Sequence, residues 1–271
     1  MNNLYFHVGI SKTGSTFLQH NVFPKLQGIH YFPTNQFKKY KSLVQNSSDS
    51  PILLSREFDR QMEREVKKWA TDFPDTKSIL VLRRQDGWIA SQYRRFTKNG
   101  FGLTFKEFID IENDKGYWER DNLNFYNYIE ILERYFDHKP LVLMYDELRN
   151  SPEQFIQKLA NYTNSTVDIN EMDLSSVHSS YNEKQLKVML RAGKKLNITN
   201  AKPFKSSLLN TIRRYAYVYP LRYGTLYGAL LLPDSMVSKS PLIPVEALEE
   251  IKEYYADDWQ KCLNYAQKMT L

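Results

Sequence analysis

Apolar positions in the first two-thirds of the chain alternate between two rhythms. Short runs of β-branched, aliphatic and aromatic residues, bounded by polar or turn-forming residues, predict strands at 4–9, 29–32, 52–54, 79–82 and 141–145. Between them the spacing becomes helical. It predicts a helix carrying Phe17, Leu18 and Val22, then helices over 57–73, 86–98, 105–111 and 123–136. Ser151-Pro152-Glu153-Gln154 opens another, with Ser at the cap, Pro in the first turn and Gln placed to reach back. The Ser- and Asn-rich stretch 41–50 reads as a surface loop. Beyond about residue 168 the strand signal fades, and 182–197 and 244–269 read as helices. Between these two, 206–232 interleaves Tyr215, Tyr217, Tyr219, Tyr223 and Tyr227 with arginines, then closes on the apolar run 229–232.

Strands alternating with helices predict an α/β fold: a mainly parallel sheet flanked by helices, with a helical C-terminal part. A length of 271 residues without an internal repeat fits a single domain over 1–271. In such sheets ligands bind beyond the carboxyl ends of the strands, so chemistry is expected just after Gly9, Leu54 and Leu82.

Composition narrows the class. A 42% hydrophobic, 25% charged chain has the makings of a soluble globular protein with a sizeable core. The single cysteine, Cys262, excludes an internal disulfide and a cysteine-based metal cluster and fits a reducing compartment. The opening MNNLYFHVGISK lacks a basic region followed by an apolar one and reads as a strand of the fold. No run approaches the roughly 18 apolar residues of a spanning helix, so a cytoplasmic protein is expected. Charge is unevenly placed: 184–228 holds ten Lys or Arg and no acid, leaving 27 basic against 31 acidic residues elsewhere. Such a block suits an anionic partner, or else a solvated basic face.

The most informative segment is Gly9-Ile10-Ser11-Lys12-Thr13-Gly14-Ser15-Thr16, between the first strand and the first helix. Small residues let the backbone curl so that several N–H groups face one anion, and the helix N-terminus adds a favourable dipole. The hydroxyls of Ser15 and Thr16 can donate to the same oxygens. The spacing is P-loop-like, but the lysine that should follow the second glycine is missing, and Lys12 precedes it instead. The strand at 79–82 ends in Arg83-Arg84 with no acid at its tip, which disfavours a metal-dependent ATPase or kinase.

These residues resemble those of the sulfotransferases that use 3′-phosphoadenosine-5′-phosphosulfate (PAPS), in particular the bacterial carbohydrate type. That family's 5′-phosphosulfate loop reads K-[ST]-G-[ST]-T after the first strand, and Lys12-Thr13-Gly14-Ser15-Thr16 stands there. Its second signature is an arginine at a strand end with a serine eight residues on, both gripping the 3′-phosphate. Arg83 and Ser91 have that spacing, with Ser91 about one turn into the following helix. Weaker likenesses follow at 141–148 with Ser151-Pro152-Glu153, at Val177-His178-Ser179-Ser180 with Leu190-Arg191, and at 254–263.

The resemblance implies in-line transfer of a sulfuryl group from PAPS to an acceptor hydroxyl, releasing adenosine 3′,5′-bisphosphate, with no metal. Ser11, Lys12, Thr13, Gly14, Ser15 and Thr16 would hold the 5′ end, Lys12 stabilising the leaving oxygen. Arg83 and Ser91 would hold the 3′-phosphate. A further basic residue of the C-terminal third is expected there, with Arg191, Arg213, Arg214 and Arg222 as candidates. The general base is expected to be Glu57, in Ser55-Arg56-Glu57. A first-turn glutamate stabilising the helix at 57–73 is the plainer reading of that residue. His7 and His30 are alternatives set in apolar strand-like runs that suit core histidines, and His178 could contact the nucleotide. The basic, Tyr-rich 184–232 segment reads as an acceptor wall or lid, favouring a glycan or glycolipid. Peripheral membrane contact through 206–232 comes second, and nucleic acid is not expected. Two other classes stay open: a Mg-dependent P-loop nucleotide kinase or NTPase, and a non-catalytic nucleotide-binding module.

Overall fold

The computed structural model describes residues 3–46, 51–174, 181–196 and 204–268. Its first strand, β1 (Leu4–Gly9), is buried along its whole length, as a central strand of a parallel sheet must be. The other strands are β2 (His30–Phe32), β3 (Ile52–Glu57), β4 (Lys77–Leu82) and β5 (Leu141–Met144). Their order is β2-β3-β1-β4-β5, and every pairing is parallel. This is the α/β architecture expected from the alternating rhythms.

Register decides which side chains share a face. Tyr5, His7 and Gly9 stand opposite Leu53, Ser55 and Glu57, so these six lie on one face. Lower on that face the layer is apolar. Tyr5, Leu53, Ile79, Val81, Leu141 and Leu143 pack with Leu18, Val22 and Phe23, and with Phe155, Ile156 and Leu159 of helix Pro152–Tyr162. Phe6 points the other way and stacks on Trp69 at 4.2 Å between ring centroids. Trp69 belongs to helix Met62–Ala70, which packs beside helix Phe125–Tyr135. Asp258, in helix Ala256–Lys268, accepts from the N–H groups of Phe125 and Tyr126 at 2.9 and 3.1 Å. It therefore caps the start of helix Phe125–Tyr135 from a distant part of the chain.

Packing divides the described residues into two compact units. The first draws on 1–84, 124–177 and 255–271, and contains the sheet; the second draws on 85–123 and 178–254. In the second, helix Gln85–Lys98 buries Trp88, Ile89 and Tyr93 and packs beside helices Glu183–Leu196 and Val245–Tyr254. A Cβ on Gly102 would collide with the backbone nitrogen of Lys194, so the chain at 100–102 runs hard against that helix. Helix Ser207–Arg213 continues through the π turn Arg214–Val218 into helix Tyr219–Gly228 and the short turn Ala229–Leu231.

Several boundaries differ from the sequence expectations, each for a local reason. β3 continues past the apolar run 52–54 because Ser55, Arg56 and Glu57 keep pairing with His7, Val8 and Gly9. Glu57 is therefore a strand residue and not in the first turn of a helix, which starts at Met62 after the turn Asp59–Gln61. The helix expected over 105–111 stops at Phe108, because Ile109 is extended and bridges to Trp118. The segment 244–269 forms two helices that break at Tyr255. Tyr40–Asn46 is helical where a loop was expected. Ser151 holds the cap position, but its side chain makes no capping bond.

Candidate functional site

The turn after β1 is strained and heavily braced. Lys12 has φ 70°, and Gly14 has φ 89°. A left-handed conformation costs a non-glycine residue about 1–2 kcal/mol, so it persists only where neighbours impose it. Those neighbours are identifiable. The Thr13 hydroxyl donates to the Ile10 carbonyl at 2.7 Å, and the Ser15 hydroxyl reaches the same oxygen at 3.4 Å. The Ser11 N–H and hydroxyl both donate to the Asp59 carboxylate, at 2.7 and 2.8 Å. Ser11, Thr13 and Ser15 are thus buried and build the turn, while Lys12 and Thr16 face solvent. The helical run that starts at Ser15 has no side-chain cap at Gly14. Its first N–H groups lack intrahelical acceptors and carry the positive end of the helix dipole.

Space at Gly14 is also tight. A Cβ there would meet Leu148 Cδ2 at 2.7 Å and the Tyr145 ring at 3.5 Å. The same Tyr145 ring lies under the Arg83 guanidinium, 4.7 Å from its centroid. Arg83 follows directly on β4 and Tyr145 on β5, so one aromatic ring joins the turn to the arginine at the later strand's tip. Ser91 lies in the second unit, half-buried, as the seventh residue of helix Gln85–Lys98 and so nearly two turns in.

Glu57 ends β3 opposite Gly9. A Cβ on Gly9 would sit 3.2 Å from Glu57 Cγ, 3.2 Å from Ser15 Oγ and 3.1 Å from His7 Cε1. The missing side chain lets those three groups converge. One step below Glu57 on the same face, Gln19 Nε2 donates to Ser55 Oγ at 2.9 Å, and Ser55 Oγ meets His7 Nδ1 at 2.8 Å. Ser55 Oγ thus accepts from Gln19 and also pairs with the His7 ring, the direction of that second bond set by the His7 tautomer. Burial lowers the His7 pKa from 6.5 to about 4, so its ring is neutral at pH 7.

Beside this layer lies a cavity of about 700 Å³ between the helical run after the turn and β2. Its polar walls include Gln19, His20, His30, Tyr31, Thr34 and Asn35. His30 is exposed there, at the start of β2. In the second unit Arg191 donates to the Met236 carbonyl at 2.8 Å. Arg222 donates to Asn99 Oδ1 at 3.0 Å, and Arg213 lies over the Phe204 ring. His178 falls outside the described residues.

Three residues of the site escaped the sequence: Asp59, Tyr145 and Gln19. Asp59 sat inside a supposed helix and Tyr145 at the supposed end of a strand. The polar Ser55-Arg56-Glu57 run, directly after an apolar strand, was the available sign that β3 extends to the site.

This all-parallel sheet, with a glycine-bearing turn leading from its central strand into a helix, is similar in fold to a solved sulfotransferase. The solved structure of a sulfotransferase from Alicyclobacillus acidocaldarius matches 75% of this chain and 98% of its own, with a TM-score of 0.51 and 14% identity. A mouse sulfotransferase, SULT7A1, solved in complex with PAP, matches 93% of this chain and 89% of its own, with a TM-score of 0.39 and 13% identity. No family model matches the chain, and no curated protein matches it in sequence.

Proposed function

We propose that this protein transfers a sulfuryl group from PAPS to a hydroxyl of a glycan or glycolipid. The observation that carries the reading is the braced turn with Lys12 in a left-handed conformation, joined through Tyr145 to Arg83 at the tip of β4. A donor phosphorylated at both ends needs two cationic anchors separated by roughly a nucleoside. Lys12 and the N–H groups of the turn take the 5′ end, where charge develops on the leaving oxygen. Arg83 takes the 3′-phosphate.

In the transfer step the acceptor oxygen forms a bond to sulfur as the bond from sulfur to the phosphate oxygen breaks. The acceptor's proton passes to Glu57, whose place opposite Gly9 supports its role as base. The cavity lined by Gln19, His20, His30, Tyr31 and Asn35 supports a polyhydroxyl acceptor, since it offers hydrogen-bonding groups around an aromatic wall.

One observation favours the Mg-dependent kinase or NTPase reading: β3, the neighbour of β1, ends in Glu57, and Asp59 opens the turn after it, acids where a magnesium site would need one. The Asp59 carboxylate is already engaged by the N–H and hydroxyl of Ser11. Titration calorimetry with adenosine 3′,5′-bisphosphate and with Mg-ATP separates the two. The bisphosphate is expected to bind the more tightly, and Arg83→Ala to weaken it about 30-fold, for a charge-assisted contact of about 2 kcal/mol. Tighter binding and turnover of Mg-ATP would overturn the proposal.

A further inference from the structure

The second unit carries a surface unlike the rest of the chain. Ser206 caps the helical run by accepting from the Leu209 N–H, and Asn210 ties Phe204 to its first turn through bonds of 2.8 and 2.7 Å. Leu208, Ile212 and Tyr215 fall at i, i+4 and i+7, the spacing of one helical face. In a globular protein that stripe faces a core, yet Leu208 is 68% exposed, and Leu209, Ile212 and Tyr215 are exposed as well. Leu230 and Leu231 extend the apolar surface at the far end, Leu231 being 88% exposed. Of the fourteen exposed large hydrophobics among the described residues, eleven lie between 204 and 236. A patch so concentrated marks an interaction site.

The remaining side chains of the run specify what it meets. Tyr215, Tyr219, Tyr223 and Tyr227 form an i, i+4 ladder with ring centroids 5.3, 6.2 and 6.4 Å apart in turn. Lys205, Arg213 and Arg214 lie among the exposed leucines, and 184–228 contains no acid. Apolar stripe, flanking arginines and tyrosines together have the composition of a helix lying in a membrane interface. No helix among the described residues is long and apolar enough to cross a membrane.

We propose that the helical run 207–231 docks this protein onto an anionic lipid surface. Leu208, Ile212, Tyr215 and Leu231 enter the acyl boundary, and Lys205, Arg213 and Arg214 meet the headgroups. A second copy of the chain is the weaker occupant, because a self-complementary interface would set this acid-free basic surface against itself. A nucleic acid would use the tyrosines but not the leucines and isoleucine. The inference stands independently of the sulfuryl-transfer reading.

The experiment is co-sedimentation of the full chain with vesicles of phosphatidylcholine alone and of phosphatidylcholine mixed with phosphatidylglycerol. Binding to the mixed vesicles is expected to be at least about tenfold the stronger. Ile212→Glu should reduce it about tenfold or more, since an apolar insertion is replaced by a charge repelled by the surface. Arg213→Gln with Arg214→Gln should remove most of the preference for anionic vesicles, and thermal melts should confirm that both variants fold. Absence of binding to either vesicle would overturn the proposal. So would undiminished binding by Ile212→Glu, or a concentration-dependent dimer that the same substitution dissolves.

Discussion

At the carboxyl edge of β1 and β3, polar side chains are buried: His7, Ser11, Thr13, Ser15 and Ser55 are all withdrawn from solvent. Along 207–231 the reverse holds, with leucine, isoleucine and tyrosine side chains standing in water. Both arrangements run against the ordinary partition of side chains, but they are compensated differently. In the first, named hydrogen bonds stabilise the buried groups: Asp59 on Ser11, the Ile10 carbonyl on Thr13, and Gln19 and His7 on Ser55. The unfavourable conformation of Lys12 is held by the same bonds. In the second, nothing in the described chain offsets the exposure. A buried polar network fixes a geometry before a ligand arrives, whereas an uncovered apolar stripe gains its stabilisation only when a partner arrives.

The largest expected effect comes from separating geometry from chemistry at Lys12. Lys12→Ala should lower sulfuryl transfer about 10³-fold, the scale of losing one charge-stabilising donor at a leaving oxygen. It should leave the denaturant midpoint nearly unchanged, because the lysine side chain is exposed. Lys12→Gly should lose as much activity while gaining about 1 kcal/mol of stability from relief of the left-handed strain. A glycine variant no more stable than the alanine one would show that the turn is not strained.

Next comes acid. Between pH 6.5 and the His7 pKa of about 4, the unfolded chain binds a proton that the buried ring refuses. Stability from this group is complete above pH 6.5 and declines as pH falls toward 4, by about 3 kcal/mol in total. Urea unfolding at pH 7 and pH 4.5 should show that decline, and His7→Gln should flatten it by most of that amount. Equal acid sensitivity in the glutamine variant would place the titrating group elsewhere.

A smaller loss is expected at Gly14→Ala, about 1–3 kcal/mol, from the positive φ together with the 2.7 Å approach to Leu148. Because two causes act there, Leu148→Ala in the same background should recover the steric part and leave the backbone part. Unfolding measurements on the two single variants and the double variant separate them.

The sequence disclosed the first region in part and the second almost entirely, for physical reasons. Apolar runs located every strand, and the Gly9–Thr16 spacing located the turn, since both signals are local. Arg83 was legible because it terminates an apolar strand. Asp59 was not, because its bond to Ser11 joins positions 48 apart in the chain, and no local pattern encodes such a partner. Tyr145 was read as the last residue of a strand, while its use is to place a ring under Arg83 and beside Gly14. The end of β3 was truncated because its residues are polar, although they keep pairing with His7, Val8 and Gly9. In 206–232 the tyrosine spacing and the lack of acids were visible directly. What could not be read was that no other part of the described chain covers the leucines, which is a tertiary fact.

That tertiary fact sets the smallest expected effect. Ile212→Ser removes a large apolar side chain, a change that costs a few kcal/mol in a packed core. Here the side chain is exposed, so the free protein should change in stability by no more than about 0.5 kcal/mol, with only weak helix-propensity terms acting. Ile79→Ser is the matched contrast: that isoleucine lies fully buried in β4 within the main core, and several kcal/mol should be lost. Chemical denaturation of the two variants at low protein concentration makes the measurement. If Ile212→Ser destabilised the monomer by more than about 1 kcal/mol, the stripe would already be covered within the chain, and the contrast between the two regions would fail.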